Sequence, residues 1–157
     1  MTRITRSPAT QATAVHHAEA RLTVDTPGEG FTELTAAARA FLSEIGAGSG
    51  VLTFFCRHTS ASLTIQENAD PDVRTDLLTA LRGLAPRDHG WVHDTEGPDD
   101  MPAHVRTMLS DSSLCVPVRD GAMALGTWQG IFLLEHRDRP HRREVVLAFT
   151  GAIRHLS

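Results

Sequence analysis

Two histidines and four carboxylates stand within twelve residues, His93-Asp94-Thr95-Glu96-Gly97-Pro98-Asp99-Asp100-Met101-Pro102-Ala103-His104, with almost nothing apolar between them. A strand through this stretch could bury neither of its faces, and Pro98 and Pro102 exclude a helix across most of it. It reads as an ordered polar loop that feeds a helix. Asp99 or Asp100 suits the cap, Pro102 the first turn, and Val105, Met108 and Leu109 the buried face. Imidazoles and carboxylates converging from a loop and a helix start are groups that hold a divalent metal or a phosphate. The same composition suits a solvated loop, so the assignment needs partners from elsewhere in the chain.

Those partners lie at the ends of other elements. His136 stands between Glu135 and Arg137 where a strong strand closes. His93, His104 and His136, each near carboxylates, are the expected ligands of one zinc ion with water in its open position. Such a site acidifies the bound water to a pKa of about 7. Their spacing matches no compact motif such as HExxH. Glu96 or Glu135 would move protons beside the metal. Helix starts at Pro71 and near Pro102 offer free N–H groups, and Arg137 with the hydroxyls Ser60 and Ser62 after His58 adds donors, so an anion is expected there. Magnesium would arrive with a diphosphate substrate. Cys56 lies in a hydrophobic strand and Cys115 between Leu114 and Val116, and both read as inert buried thiols.

The elements that must position these groups are largely visible. Residues 1–13 read as a loose arm, followed by one domain over 14–157. Ala14 to Asp25 alternates as a half-buried strand. Phe31, Leu34, Ala38, Phe41, Leu42 and Ile45 recur at helical spacing, and Gly46 and Gly48 stop that helix. Val51–His58 and Ser62–Glu67 are strands. Asp70-Pro71-Asp72 is a helix start, with Val73, Leu77, Leu81 and Leu84 as its stripe. Ser113–Val118, Ala122–Gly126, Ile131–Arg137 and Glu144–Thr150 are strands, and Arg119-Asp120-Gly121 is a turn. Strands outnumber helices and short links join several of them. The expected fold is a single α+β domain with a mixed or antiparallel, sandwich-like sheet and about three helices.

Composition narrows the function classes. The chain has 157 residues, 41% of them hydrophobic, enough for a real core. A net charge of −4 and a pI near 6.1, with no basic run and no Tyr, argue against nucleic acid as a partner. No apolar run reaches membrane-spanning length. Two distant cysteines form no disulfide framework, so a reduced, cytoplasmic setting is expected.

Five blocks occur in order: His58-Thr59-Ser60-Ala61-Ser62, Glu67-Asn68-Ala69-Asp70-Pro71-Asp72-Val73, His93 to His104, Gly126-Thr127-Trp128-Gln129-Gly130-Ile131, and Glu135-His136-Arg137. Together, across about Ala14 to Gly151, they resemble the YjbQ family of small bacterial and archaeal proteins. That resemblance implies an α+β fold, a homotrimer, and a polar pocket lined by these motifs. Some members are described as having a secondary thiamine-phosphate synthase activity, in which the nitrogen of a thiazole phosphate displaces pyrophosphate from hydroxymethylpyrimidine diphosphate. On that reading His58, Glu67, Glu96 and Glu135 are the catalytic candidates. Ser60, Ser62, Arg137, Trp128 and Gln129 contact the small phosphorylated metabolite. Two competing readings stay open: a metal-dependent hydrolase of such a metabolite, and a non-enzymatic trimeric module that binds a small anion.

Overall fold

A computed structural model describes residues 16–154, so the expected arm, Ala14 and His155 lie outside the described residues. The chain runs β1 (His16–Thr26), β2 (Gly30–Glu33), α1 (Thr35–Glu44), β3 (Ala47–Cys56), β4 (Ala61–Glu67), α2 (Pro71–Leu84) and α3 (Asp100–Leu109). It continues with β5 (Ser113–Arg119), β6 (Ala122–Met123), β7 (Gln129–Glu135) and β8 (His141–Ile153). Every strand pairing is antiparallel. The strands form a five-stranded sheet, β1-β8-β3-β5-β6, and a three-stranded sheet, β2-β7-β4. Among the described residues the fold is thus a two-sheet α+β domain with three helices, in line with the sequence pattern.

The core draws on both sheets and one helix. Leu52, Phe54, Val116, Val145, Leu147 and Phe149 come from the large sheet, Leu63, Ile131 and Leu133 from the small one, and Ala38, Phe41 and Leu42 from α1. Strand β7 is buried on both faces: Ile131 and Leu133 enter this core, while Phe132 and Leu134 are covered on the other side. Phe31 packs edge-on against Phe132 with ring centres 5.8 Å apart, and the Arg74 guanidinium of α2 lies 5.5 Å from the Phe132 ring centre.

Several expectations change: β3 ends at Cys56 and β7 at Glu135, so His58, His136 and Arg137 stand just beyond their strands, and β6 is only Ala122–Met123. Phe31 belongs to β2, not to α1: its spacing fits a helix, but Gly30–Glu33 pairs with β7, and long-range hydrogen bonds override local periodicity. Helix α3 does not bury Val105, Met108 and Leu109. Its buried residues are Asp100, Pro102, Ala103 and Arg106, and Met108 is 86% exposed. The reason is charge: Arg106 is buried because Glu29 meets its Nη1 and the Ala85 carbonyl meets its Nη2. The α2 start is as expected, with Asp70 accepting from the Asp72 N–H at 2.9 Å, yet the helix carries no fully buried residue.

Where β3 meets β8 the sheet leaves no room for a side chain. Gly50 and Gly151 face each other in register, and a Cβ on Gly151 would lie 2.5 Å from the Ser49 carbonyl oxygen and 2.7 Å from the Phe149 ring. Gly83, near the end of α2, has nothing within 4 Å. Gly151→Ala should therefore cost at least about 2 kcal/mol through overpacking, whereas Gly83→Ala should stabilise by about 1 kcal/mol through helix propensity. Urea unfolding of both variants checks this, and a Gly151→Ala protein of unchanged midpoint would contradict the close approach.

Candidate functional site

Consecutive residues at the end of β7 organise the site. Glu135 ends β7, and His136, just beyond it, turns to the opposite side while Arg137 runs on toward the polar loop. Glu135 points at the large sheet. Only 2% exposed, it accepts from Arg143 Nε at 2.7 Å and from Arg143 Nη2, from Thr26 Oγ1 at 2.7 Å, and from the Arg137 N–H at 3.0 Å. Burial pushes its carboxyl up, but the Arg143 bonds and these other donors outweigh that and hold it below the ordinary range. Every lone-pair direction is engaged, so Glu135 is a fixed anion and not the mobile base expected from sequence.

His136 faces the other way and is 1% exposed. Its Nε2 lies 2.7 Å from Ser62 Oγ, which accepts in turn from Ser110 Oγ at 2.6 Å. Ser62 is fully buried. His136 is therefore not the third metal ligand, and Ser62 is not a phosphate donor. The end of β7 turns the His136 ring under α3, onto the hydroxyls of Ser62 and Ser110. Burial and the nearby Arg106 charge lower the His136 pKa to about 4.

Arg137 is also committed. Its Nε donates to Asp99 at 3.0 Å, its Nη1 to Asp100, and its Nη2 to the Glu96 carbonyl at 2.8 Å. It clamps the polar loop and leaves no nitrogen unengaged for phosphate, contrary to the sequence expectation. Gly97, at φ 109°, supplies the left-handed turn that brings the Glu96 carbonyl round to it. Burial raises the Asp99 carboxyl, but the Asp138 N–H at 2.9 Å and Arg137 more than reverse this, and Asp99 stays low.

The clamp presents Asp100, 2% exposed, to two imidazoles. His93 Nε2 lies 2.7 Å from Asp100 Oδ2 and His104 Nε2 lies 3.4 Å from the same oxygen. The two rings are 5.7 Å apart. His104 Nδ1 donates to the Thr59 carbonyl at 3.0 Å. A carbonyl can only accept, so the neutral ring keeps its lone pair on Nε2, turned toward Asp100. Ligand atoms of His93, Asp100 and His104 all lie within 4.8 Å of one another. The expected pairing of His93 with His104 thus stands in space, and Asp100 takes the place given to His136. The Asp100 hydrogen bond raises the His93 pKa. Glu96 sits at the rim, 3.5 Å from His93 Nε2. A cavity of about 440 Å³ lined by Arg87, Trp91, His93 and Met101 adjoins the cluster.

Three expected site residues lie elsewhere. Glu67, Trp128 and Gln129 stand at the far end of the small sheet, where Glu67 pairs with Gln129, whereas Ala61 pairs with Glu135 at the site end. Six residues of strand separate the ends by roughly 20 Å. Gln129 accepts from the Gly126 N–H at 2.8 Å and so fixes its own turn. His58 and Ser60 flank the site on another side. The Glu144 N–H donates to His58 Nε2 at 2.8 Å, and Arg143 Nη2 donates to Ser60 Oγ at 3.1 Å. Of the thiols, Cys56 is buried with its pKa raised by burial. Cys115 is exposed, because it alternates outward on β5. Besides Asp100, read from sequence only as a cap, two residues were missed. Trp91 carried no signal, whereas Arg143 carried one: it is in phase with the buried Val145 and Leu147 of β8.

Fold and site define a class: a small two-sheet α+β protein with a loop-to-helix junction that gathers two imidazoles and a carboxylate. The family model described as UPF0047 protein YjbQ-like matches residues 20–152, and the chain belongs to that family. A UPF0047 protein of Synechocystis is 47% identical over 133 residues, covering 84% of this chain and 90% of the relative. The Bacillus subtilis YugU protein is 38% identical over 76% of this chain and 88% of its own length. A crystal structure of an uncharacterized YjbQ/UPF0047 protein from Clostridium acetobutylicum superposes with a TM-score of 0.77 at 34% identity, covering 83% and 98% of the two chains. A hypothetical protein from Aeropyrum pernix gives 0.79 at 29% identity, covering 86% and 99%. These names describe a family and a fold, not a reaction.

The buried His136 makes stability acid-sensitive. With a folded pKa of about 4 and an unfolded value near 6.5, its contribution is whole above about pH 6.5. Below that the unfolded chain takes the proton first, and stability falls until the folded ring titrates near pH 4, by about 3 kcal/mol in all. Urea midpoints measured from pH 7 to 4 should fall less steeply in His136→Asn than in wild type. Equal slopes would assign the acid sensitivity to other groups.

Proposed function

We propose that this protein is a divalent-metal-dependent hydrolase of a small phosphorylated metabolite, with zinc held by His93, Asp100 and His104. The observation that carries the reading is the convergence of two imidazole Nε2 atoms on Asp100 Oδ2, at 2.7 and 3.4 Å. With its proton fixed on Nδ1 by Thr59, His104 turns a lone pair toward a carboxylate oxygen. In the neutral ring that contact is repulsive, and either a proton on Nε2 or a bound cation relieves it. The Thr59 carbonyl holds the ring as an outer partner holds a metal-bound imidazole, and the Arg137 clamp orients Asp100 in the same way. The donor set of two nitrogens and one carboxylate suits zinc better than magnesium. Zinc, when bound, leaves a position for water and lowers its pKa to about 7. Glu96, exposed at the rim, is placed to take a proton, and the cavity beside Trp91 and Arg87 gives the substrate a wall.

The thiamine-phosphate synthase reading has one observation in its favour: Trp91 offers a planar surface for an aromatic ring next to the cation site. It also requires water to be kept from a developing positive charge, and the His93 side chain is 44% exposed. Hydrolysis fits so open a site better. The homotrimer expected from the family resemblance would cover the outward face of the large sheet, where Val51 and Phe55 are 43% and 48% exposed.

Chelator-treated protein should rebind one zinc per chain; His104→Ala and Asp100→Asn should abolish this, while His136→Asn keeps it. Retention of stoichiometric zinc by His104→Ala would remove the assignment. Loaded with zinc, Glu96→Gln should lose on the order of a hundredfold or more in phosphate release, and product formation from the pyrimidine and thiazole phosphates together would favour the transferase instead. Light scattering at micromolar concentration should give a trimer mass, shifted toward monomer by Phe55→Glu; a monomeric wild type would sink the trimer.

A further inference from the structure

A second cavity, of about 620 Å³, opens on the other side of Thr59 and is walled by Phe55, Cys56, Arg57, His58, Thr59, Ser60, Ser112 and Arg143. No carboxylate lines it. Arg143 reaches it from within: the residue is 5% exposed, and its Nε and Nη2 are taken by Glu135 and Ser60. Its Nη1 has no hydrogen-bond partner among the described residues. The neighbouring polar groups are turned the same way. Because His58 Nε2 accepts the Glu144 N–H, the neutral ring carries its proton on Nδ1 and has a donor to offer. Because Ser60 Oγ accepts from Arg143, its hydroxyl proton remains to be donated. Charge agrees with this polarity. Three guanidinium groups, Arg21, Arg57 and Arg143, are paired with only two carboxylates, Glu144 and Glu135, which leaves one positive charge in excess.

We propose that this cavity is a phosphate-binding site, in which Arg143 Nη1, His58 Nδ1–H and the Ser60 hydroxyl donate to the oxygens of a phosphoryl group. It goes beyond the metal site, since none of the three is a ligand in that cluster. A planar guanidinium with neutral donors around it suits a tetrahedral oxyanion. The cavity is several times the size of a bare phosphate and so has room for the rest of a metabolite, and its Phe55 wall borders the face assigned above to the trimer. Thr59 separates this cavity from the metal cluster, with its carbonyl fixing His104, so one ligand could span both.

The test is calorimetry of the full, chelator-treated chain with inorganic phosphate, with acetate at matched ionic strength as the control. Arg143→Lys is a poor first variant, because it risks leaving Glu135 buried without its partner; Ser60→Ala and His58→Gln leave that pair in place. Phosphate should bind the wild type and Asp100→Asn alike, and bind Ser60→Ala about tenfold more weakly. The nitrogen resonance of His58 Nδ1 should shift on titration in the wild type. No binding, equal binding of acetate, unchanged affinity in both Ser60→Ala and His58→Gln, or loss of binding in Asp100→Asn would each overturn the proposal. The last outcome would move the anion to the metal cluster. Failure of the zinc assignment would leave these results untouched, because no metal is present.

Discussion

The Glu135–Arg143 pair is the interaction on which the site end of the molecule depends. Glu135 ends β7 in the small sheet and Arg143 begins the inward row of β8 in the large one. Their side chains are 2% and 6% exposed, so each would be a buried, uncompensated charge without the other. Removing one partner of such a pair typically costs several kcal/mol, whereas replacing both by apolar groups can be neutral. The pair is therefore better understood as fixing a geometry than as a source of stability. Thr26, from the end of β1, and Ser60, from the link between β3 and β4, add their oxygens to it. Four separate parts of the chain meet at one ion pair, which ties the two sheets together at the site end.

The neighbouring groups inherit their places from it. With Glu135 held against the large sheet, the pleat must turn His136 beneath α3, where Ser62 and Ser110 satisfy it, and Arg137 is left to clamp Asp99 and Asp100. That clamp presents Asp100 to His93 and His104. The same ion pair leaves one Arg143 nitrogen turned to a separate cavity. A rigid strand end thus supports two polar surfaces from one set of backbone bonds, as expected when functional side chains stand on regular elements and not on free loops.

Several element boundaries could be read from the sequence because their causes are local. The start of α2 follows from Asp70, Pro71 and Asp72, each acting within one turn, and β7 from an unbroken apolar run. The His93 and His104 neighbourhood was also legible, since a loop leading into a helix keeps residues eleven apart in sequence close in space. Phe31 was misread because an isolated apolar residue obeys both periodicities; pairing with β7, a hundred residues away, decided between them. The buried face of α3 was misread because hydropathy cannot show that Glu29 would neutralise Arg106.

Residue chemistry in the polar loop, strand parity in β7 and the cap of α2 were determined by the sequence itself, since each depends on neighbours within a few positions. Tertiary structure alone decided which groups share a site. Antiparallel pairing sent Glu67, Trp128 and Gln129 to the far end of the small sheet, although Glu67 and Ser60 are only seven residues apart. It engaged every nitrogen of Arg137 with two carboxylates and a carbonyl, and it left Arg143 Nη1 without a partner among the described residues. It set Asp100, and not His136, beside His93 and His104, because the direction of a side chain at a strand end is set by the sheet that the strand joins.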